Sequence, residues 1–438
     1  MNRRTFLKTS AAAGAVSINA LGANDRLNVG IMGIHDRGMD LAQEIARRDD
    51  VTVRYLADPD STLFEERAKT VGDLGGTRPE CIQDFRRMLD DPDIDAIAIA
   101  TPDHWHALAT VLACQAGKDV YVEKPTSQSI WESRKMVEAA RKYARVVQVG
   151  TQNRSAEYCW KAIEYAQSGA LGDIHFIRIM NSKLRESIGH AEDAAAPPEG
   201  VDYDMWLGPA PARPFNPNHF HYNWHWFWDY GGGDMANDGV HQIDLARWIS
   251  GRTLPNSVSA GGGIHVLKDD RETPDTHTVA LDFDGLTMAI EQTLWTPYMK
   301  KTPFELRDTD QLPNWPFSGT RIDVYGTKNF MFFGRMGGGW QVFDGDGHSV
   351  AIQPGKFSPA NTQHVANFVE CIRSRQRPNA DIEEGHYSTL LAHYSNIALR
   401  TSRRLEIDPA TEGFINDNDA NALVKRTYRQ PWVVPEAV

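Results

Sequence analysis

The apolar run Val120-Tyr121-Val122 ends abruptly at Glu123-Lys124-Pro125. Proline cannot extend a sheet ladder, so the tripeptide marks the end of a buried strand. In an open α/β sheet the carboxyl ends of the strands form the ligand crevice. Lys124 is thereby a candidate catalytic group, and a salt-bridged loop is the competing reading. Upstream, Gly33-Ile34-His35-Asp36-Arg37-Gly38 keeps the outer glycines of G-x-G-x-x-G but has histidine at the middle position. The first glycine permits a tight turn, and the last lets a helix pack closely with its N–H groups toward a pyrophosphate. Gly33, Ile34, His35, Arg37 and Gly38 are thus the candidate cradle, with His35 expected to crowd it. Asp58 closes the next apolar run, where a carboxylate accepts from ribose hydroxyls and repels a 2′-phosphate. No arginine stands in Pro59-Asp60 to welcome that phosphate, so NAD is favoured over NADP.

"ATPDHWHA" places Thr101 and Pro102 where a cofactor ribose or nicotinamide would pass. His104 and His106 are spaced like a metal pair, but no third ligand with sensible spacing follows, and no metal is expected. His106 is read as capping the next helix or touching the cofactor.

These groups need a scaffold, and the chain supplies an alternating one. From Leu27 to about residue 150, compact apolar runs alternate with helical spacing, which predicts a parallel, doubly wound Rossmann sheet. From 151 to 438 the pattern changes to strands with short connections, including "HTVALDFDGLTMAIEQTL", where Asp284-Gly285 signals a hairpin. A C-terminal α+β domain with an open, mainly antiparallel sheet and closing helices is expected there. Between its first strands lies "HFHYNWHWFWDYGGG". Tyr222, Trp224, Trp226 and Trp228 in it are candidate platforms for sugar C–H faces, the rival reading being an apolar wedge at a subunit contact.

The 438 residues carry a net charge of -12, which argues against nucleic acid as a partner. Four scattered cysteines without a C-x-x-C pair argue against a zinc cluster. Residues 1–26 read as a leader: Arg3-Arg4 precede Phe6-Leu7-Lys8 and an alanine-rich stretch too short and too weakly apolar to span a membrane. They resemble a twin-arginine signal, a route that exports folded proteins to the periplasm or beyond. No later segment has the unbroken apolar length of a span.

"TPDHWHA", "VYVEKP" and "GTQNR", followed by "GGGDMANDGVHQIDLARW" and "RIDVYGTKNFMFFGR", resemble the glucose–fructose oxidoreductase / inositol dehydrogenase / MocA family of NAD(P)-dependent oxidoreductases. The resemblance runs from about Asn28 to Trp432. It implies that Lys124 is the catalytic-site lysine, that Glu123 and Gln152 lie at the cofactor, and that His241 is the catalytic histidine. Imidazole suits removal of a carbinol proton as hydride leaves. Asp244, three residues on, is placed to orient the ring. Asn237 stands where many relatives have aspartate, which puts a His–Asp relay in doubt; Asp234 and Asp238 are alternatives. Arg154 and Arg185 are candidates for substrate oxygens.

The expected protein is an exported oxidoreductase that passes hydride between a sugar, glycoside or polyol and a tightly held NAD, assembled as a homodimer or tetramer. A glycosidase or lyase using transient C3 oxidation is the alternative. A sugar-binding relative without turnover is the non-enzymatic one, favoured by His35 and Asn237.

Overall fold

The computed structural model describes residues 26–438, so the paired arginines of the leader lie outside the described residues. The first sheet is built from β1 (Leu27–Met32), β2 (Val51–Ala57), β3 (Glu80–Ile82), β4 (Ala96–Ile99), β5 (Asp119–Val122) and β6 (Val147–Val149). Its order is β3-β2-β1-β4-β5-β6, and every pairing is parallel. Helices α1 (Asp36–Ala46), α2 (Phe64–Gly75), α3 (Arg86–Asp90), α4 (Asp103–Gln115) and α5 (Ile130–Lys142) make the crossovers. Strand order reverses between β1 and β4, and this switch point opens the crevice at their carboxyl ends.

After α6 (Glu157–Gln167) the second sheet comprises β7 (Ile174–Ser182), β8 (Ser257–Gly263), β9 (Thr276–Phe283), β10 (Leu286–Thr293), β11 (Thr320–Gly326), β12 (Phe330–Gly334), β13 (Trp340–Phe343), β14 (Ser349–Gln353) and β15 (Leu405–Glu406). It runs β14-β13-β12-β11-β7-β10-β9-β8-β15 and is antiparallel except where β10 lies parallel to β7. The long segment between β7 and β8 lets the chain return in that direction. The β9–β10 hairpin turns at Asp284-Gly285, with Phe283 paired to Leu286 and Gly285 at φ +69°. Ile290, Met288, Ile322, Val324 and Phe333 share the helix-covered face with residues of α8 (Val240–Ser250) and α10 (Ile382–Thr401).

The short α7 (Tyr203–Leu207) lies inside the β7–β8 segment, which straps across the nucleotide half. Ser61 N donates to Gly200 O at 3.0 Å, Asp202 N to Pro59 O at 2.9 Å, and Trp105 Nε1 to Met205 O at 3.0 Å. The carboxyl end also crosses back. Val365, Phe368 and Ile372 of α9 (Ser358–Ser374) pack with Val29, Ile31 and Leu41, while Trp432 and Val434, beyond α11 (Asn418–Asn421), join the core under β4 and β5. Residue 150 thus separates two sheets, but the nucleotide sheet is completed by side chains from the far end of the chain.

Candidate active site

A cavity of about 330 Å³ opens at the carboxyl ends of β4 and β5; Thr101, Glu123, Lys124, Gln152, Trp224 and His241 are among its walls. A smaller one of about 90 Å³ lies beside it, bordered by Gly33, Asp58, Thr101, Pro102, Trp105 and Trp206. His35, Ala100, Thr101, His221 and Trp224 line both, so the two share a wall.

The glycine turn fits a dinucleotide. Gly33 has φ +82°, and a Cβ there would lie 2.8 Å from the Ala100 carbonyl. One on Gly38 would lie 1.8 Å from Gly33 O, so β1 and the start of α1 touch with no room for a side chain. The expected crowding by His35 takes another form. Its ring stacks on His221 at 4.6 Å, and His221 Nε2 reaches Asp60 Oδ2 at 3.0 Å, so the imidazole stands at the junction of the two cavities. Asp58 accepts from Ile34 N and from Asp60 N, both at 2.9 Å. Burial nevertheless pushes its pKa up to about 6.

At the other end, Arg37 Nε donates to Glu123 at 2.7 Å and Gln152 Nε2 donates to the same oxygen at 3.3 Å. Burial would raise Glu123, yet Arg37 and Lys124 bring its pKa below the usual value. Lys124 Nζ donates to Asn237 O at 2.9 Å and to its Oδ1 at 3.1 Å. Burial lowers the Lys124 pKa against the opposing pull of Glu123, Asp103 and Asp238. Asn237 belongs to a π-helical turn, Met235–Gly239, which leads into α8. Such turns concentrate at functional sites, and this one brings the Asn237 carbonyl to Lys124. His241 follows at the start of α8, buried, with no hydrogen-bond partner for Nδ1 among the described residues. Burial, with Arg335 and Lys124 nearby, holds its pKa well below the imidazole range. A neutral ring facing a cavity can accept a proton.

Other expected residues sit differently. Asp244 does not orient His241. Its carboxylate accepts from Arg154 Nε at 2.9 Å and from Ser388 Oγ at 2.7 Å. Arg154 is correspondingly locked, 4% exposed and away from the cavity, so it offers nothing to a substrate. Buried charges survive by pairing, and these two satisfy each other. Arg185 does not line the cavity either; it bonds Asp234 at 2.8 Å and donates to the Tyr222 hydroxyl at 3.1 Å. Tyr222 and Trp224 do line it, Trp224 stacked on His225 at 3.6 Å. His106 neither caps a helix nor borders either cavity. It lies inside α4, and its ring nitrogens meet Pro125 O at 2.7 Å and Thr101 O at 2.9 Å, tying the two loops together. His104 is likewise spent on Trp206 O, at 3.0 Å. Of Asp234, Asp238 and Asp244, Asp238 alone borders the cavity.

Asp103, His225 and Arg335 also line it and escaped sequence reasoning. Arg335 closes the quoted "MFFGR", but a lone arginine at a strand end carries no spacing signal.

Residues 27–151 match a family model described as "Oxidoreductase family, NAD-binding Rossmann fold". Residues 184–265 and 334–434 match its companion, "Oxidoreductase family, C-terminal alpha/beta domain". Residues 1–17 match the twin-arginine translocation signal sequence. The chain is 21% identical over 390 residues to myo-inositol 2-dehydrogenase of Thermotoga maritima, covering 87% of this chain and 99% of that protein. A shorter stretch of 167 residues is 27% identical to glycosyl hydrolase family 109 protein 2 of Shewanella sp. strain ANA-3, covering 32% of this chain and 37% of the relative. The fold superposes on levoglucosan dehydrogenase in complex with NADH and levoglucosan with a TM-score of 0.63 at 18% identity, over 87% of this chain and 99% of that one. With the glycine turn, the E-K-P lysine and the histidine of α8 around two adjacent cavities, the chain belongs to the glucose–fructose oxidoreductase / inositol dehydrogenase / MocA family of NAD-binding oxidoreductases.

Proposed function

We propose that this protein oxidises a secondary carbinol of a sugar, glycoside or polyol, with Lys124 and His241 handling the hydroxyl. The observation carrying this reading is that both side chains border one cavity that is also lined by His35 and Arg37 of the glycine turn. Bound NAD supplies the hydride acceptor. Gly33, Ile34, His35, Arg37 and Gly38 would hold its pyrophosphate, Asp58 its ribose, and Thr101, Pro102, Glu123 and Gln152 its nicotinamide end. His241, neutral at working pH, takes the hydroxyl proton, and Lys124 donates a hydrogen bond to the same oxygen as negative charge develops. Asn237 aims the lysine. Tyr222 and Trp224 offer faces to the sugar ring.

The strap over the nucleotide half supports tight cofactor retention. Gly200, Asp202 and Met205 bond to the nucleotide half, and His221 bonds Asp60 beside the smaller cavity. Retention suits export to the periplasm, where free NAD is scarce. Assembly as a dimer or tetramer is proposed through the second sheet's open face, where Phe176, Tyr325, Phe330, Phe332 and Phe343 form a half-buried aromatic row opposite the helices.

The relative named a glycosyl hydrolase favours a second reading, in which transient oxidation activates a neighbouring C–H and no net reduction accumulates. Mass spectrometry of cofactor released from denatured protein, followed by a glycoside screen read by absorbance of reduced nicotinamide, tests the proposal. Net reduction supports the dehydrogenase, and product without net reduction supports the hydrolase. Cofactor and ligand bound without either product means a sugar-binding protein.

A further inference from the structure

The network around Asp238, which reaches the wall of the larger cavity through Asp238 and Arg335, holds more positive charge than the described residues neutralise. Lys183 and Lys301 each lie 2.7 Å from Asp238, and Arg185 lies 2.8 Å from Asp234. Lys183 also meets Asp234, and Arg335 also meets Asp238. Four cations therefore share two carboxylates, in side chains that range from 5 to 30% exposed for the cations and 0 to 5% for the acids. Lys124 adjoins them, and its ammonium rests on the amide and carbonyl oxygens of Asn237 rather than on a carboxylate. Even counting Asp103 against Lys124, two positive charges are left over. Glu123 does not offset them, since Arg37 holds it.

Uncompensated buried charge is costly and persists where a partner completes it. Arg335 borders the cavity with a side chain 7% exposed, one guanidinium nitrogen on Asp238 and its Nε without a partner among the described residues. Resting on the oxidoreductase reading above, we propose that the substrate is an acidic sugar, whose carboxylate or phosphate is received by Arg335 at the cavity wall, with Lys301 adding its charge through Asp238. A neutral sugar would leave the wall unbalanced. The state of Lys301 agrees: burial, with Arg335, Lys183 and Arg185 around it, brings its pKa down to about 8 despite Asp238. An arriving anion would restore full protonation there.

The test uses NAD-loaded protein titrated with hexuronates, hexose 6-phosphates, the parent hexoses and the uronate methyl esters. Tryptophan fluorescence reads binding, and absorbance of reduced nicotinamide reads turnover. At least one acid should bind about tenfold or more tighter than its neutral counterpart, the scale of one charge-assisted hydrogen bond. The preferred acid tells carboxylate from phosphate. That gap should narrow with salt and in both Arg335→Gln and Lys301→Met. The second variant alters a partly exposed side chain and serves if the first fails to fold by circular dichroism. Acid binding without nicotinamide reduction upholds the acidic ligand and refutes the dehydrogenase reading. Equal or tighter binding of neutral sugars, no binding of any acid, or a gap unchanged in a folded variant overturns the inference, whether or not a neutral sugar is oxidised.

Discussion

Replacing Asp244 separates a structural carboxylate from a catalytic one. It lies three residues after His241 in α8 yet is 1% exposed and accepts three hydrogen bonds from Arg154 and one from Ser388. Asp244→Ala leaves Arg154 buried with one remaining carboxylate, Glu384 at 3.2 Å, whose own side chain is 44% exposed. Removing one partner of a buried pair costs about 3–5 kcal/mol, and the surviving Glu384 contact places this case at the lower end, about 3 kcal/mol. That is a large share of the roughly 5–15 kcal/mol that holds a typical domain folded. The assay is a urea unfolding curve together with a turnover rate normalised to folded protein. The unfolding midpoint should fall while turnover per folded molecule stays near normal. Arg154→Met with Asp244→Leu should be less destabilised than the sum of the single changes, because neither charge is then stranded. A variant of normal stability with lost turnover would refute the assignment and return Asp244 to His241.

Three further outcomes follow from the cofactor end and the leader. Gly38→Ala puts a Cβ 1.8 Å from Gly33 O, and overpacking of this kind costs about 1–3 kcal/mol; calorimetry should show it as weaker NAD binding, and unchanged affinity would mean the turn is not the cradle. Asp58 has a pKa raised to about 6, so it is charged above that pH and neutral below it. Preference for NAD over NADP should accordingly be widest above pH 6 and narrow below it, and a preference flat across that range would remove Asp58 from the discrimination. Changing Arg3 and Arg4 to lysine should leave folded, cofactor-loaded precursor inside the cell; continued export in cell fractionation would exclude the twin-arginine route.

The parts legible from the chain were those set by local geometry. Gly33 and Gly38 sit at the spacing of a strand–turn–helix, and β5 ends just before Glu123-Lys124-Pro125. The alternation of β9 and β10 around Asp284-Gly285 is equally local. What escaped depends on distant partners. Nothing near Arg154 in sequence announces Asp244, Ser388 and Glu384, since an ion pair leaves no periodic trace. The family resemblance pairs position 237 with His241, but the π turn at Met235–Gly239 brings Asn237 to Lys124. Strand β3, three residues long, is too short to make a pattern, and β14 leaves Val350 and Ile352 exposed, so no buried face marks it. The return of Phe368 and Trp432 to the nucleotide half belongs to topology, which apolar spacing does not report.

The central claim is that Lys124 and His241 act together on one hydroxyl. Its most direct test is single-turnover absorbance of bound nicotinamide on mixing a substrate found in the glycoside screen with NAD-loaded wild type, Lys124→Ala and His241→Ala. Each variant should keep its cofactor and its fold, and should reduce nicotinamide about 10²–10⁴-fold more slowly than wild type, the range that general acid–base groups contribute. A folded, cofactor-loaded variant reducing at the wild-type rate would contradict the account and place the chemistry elsewhere.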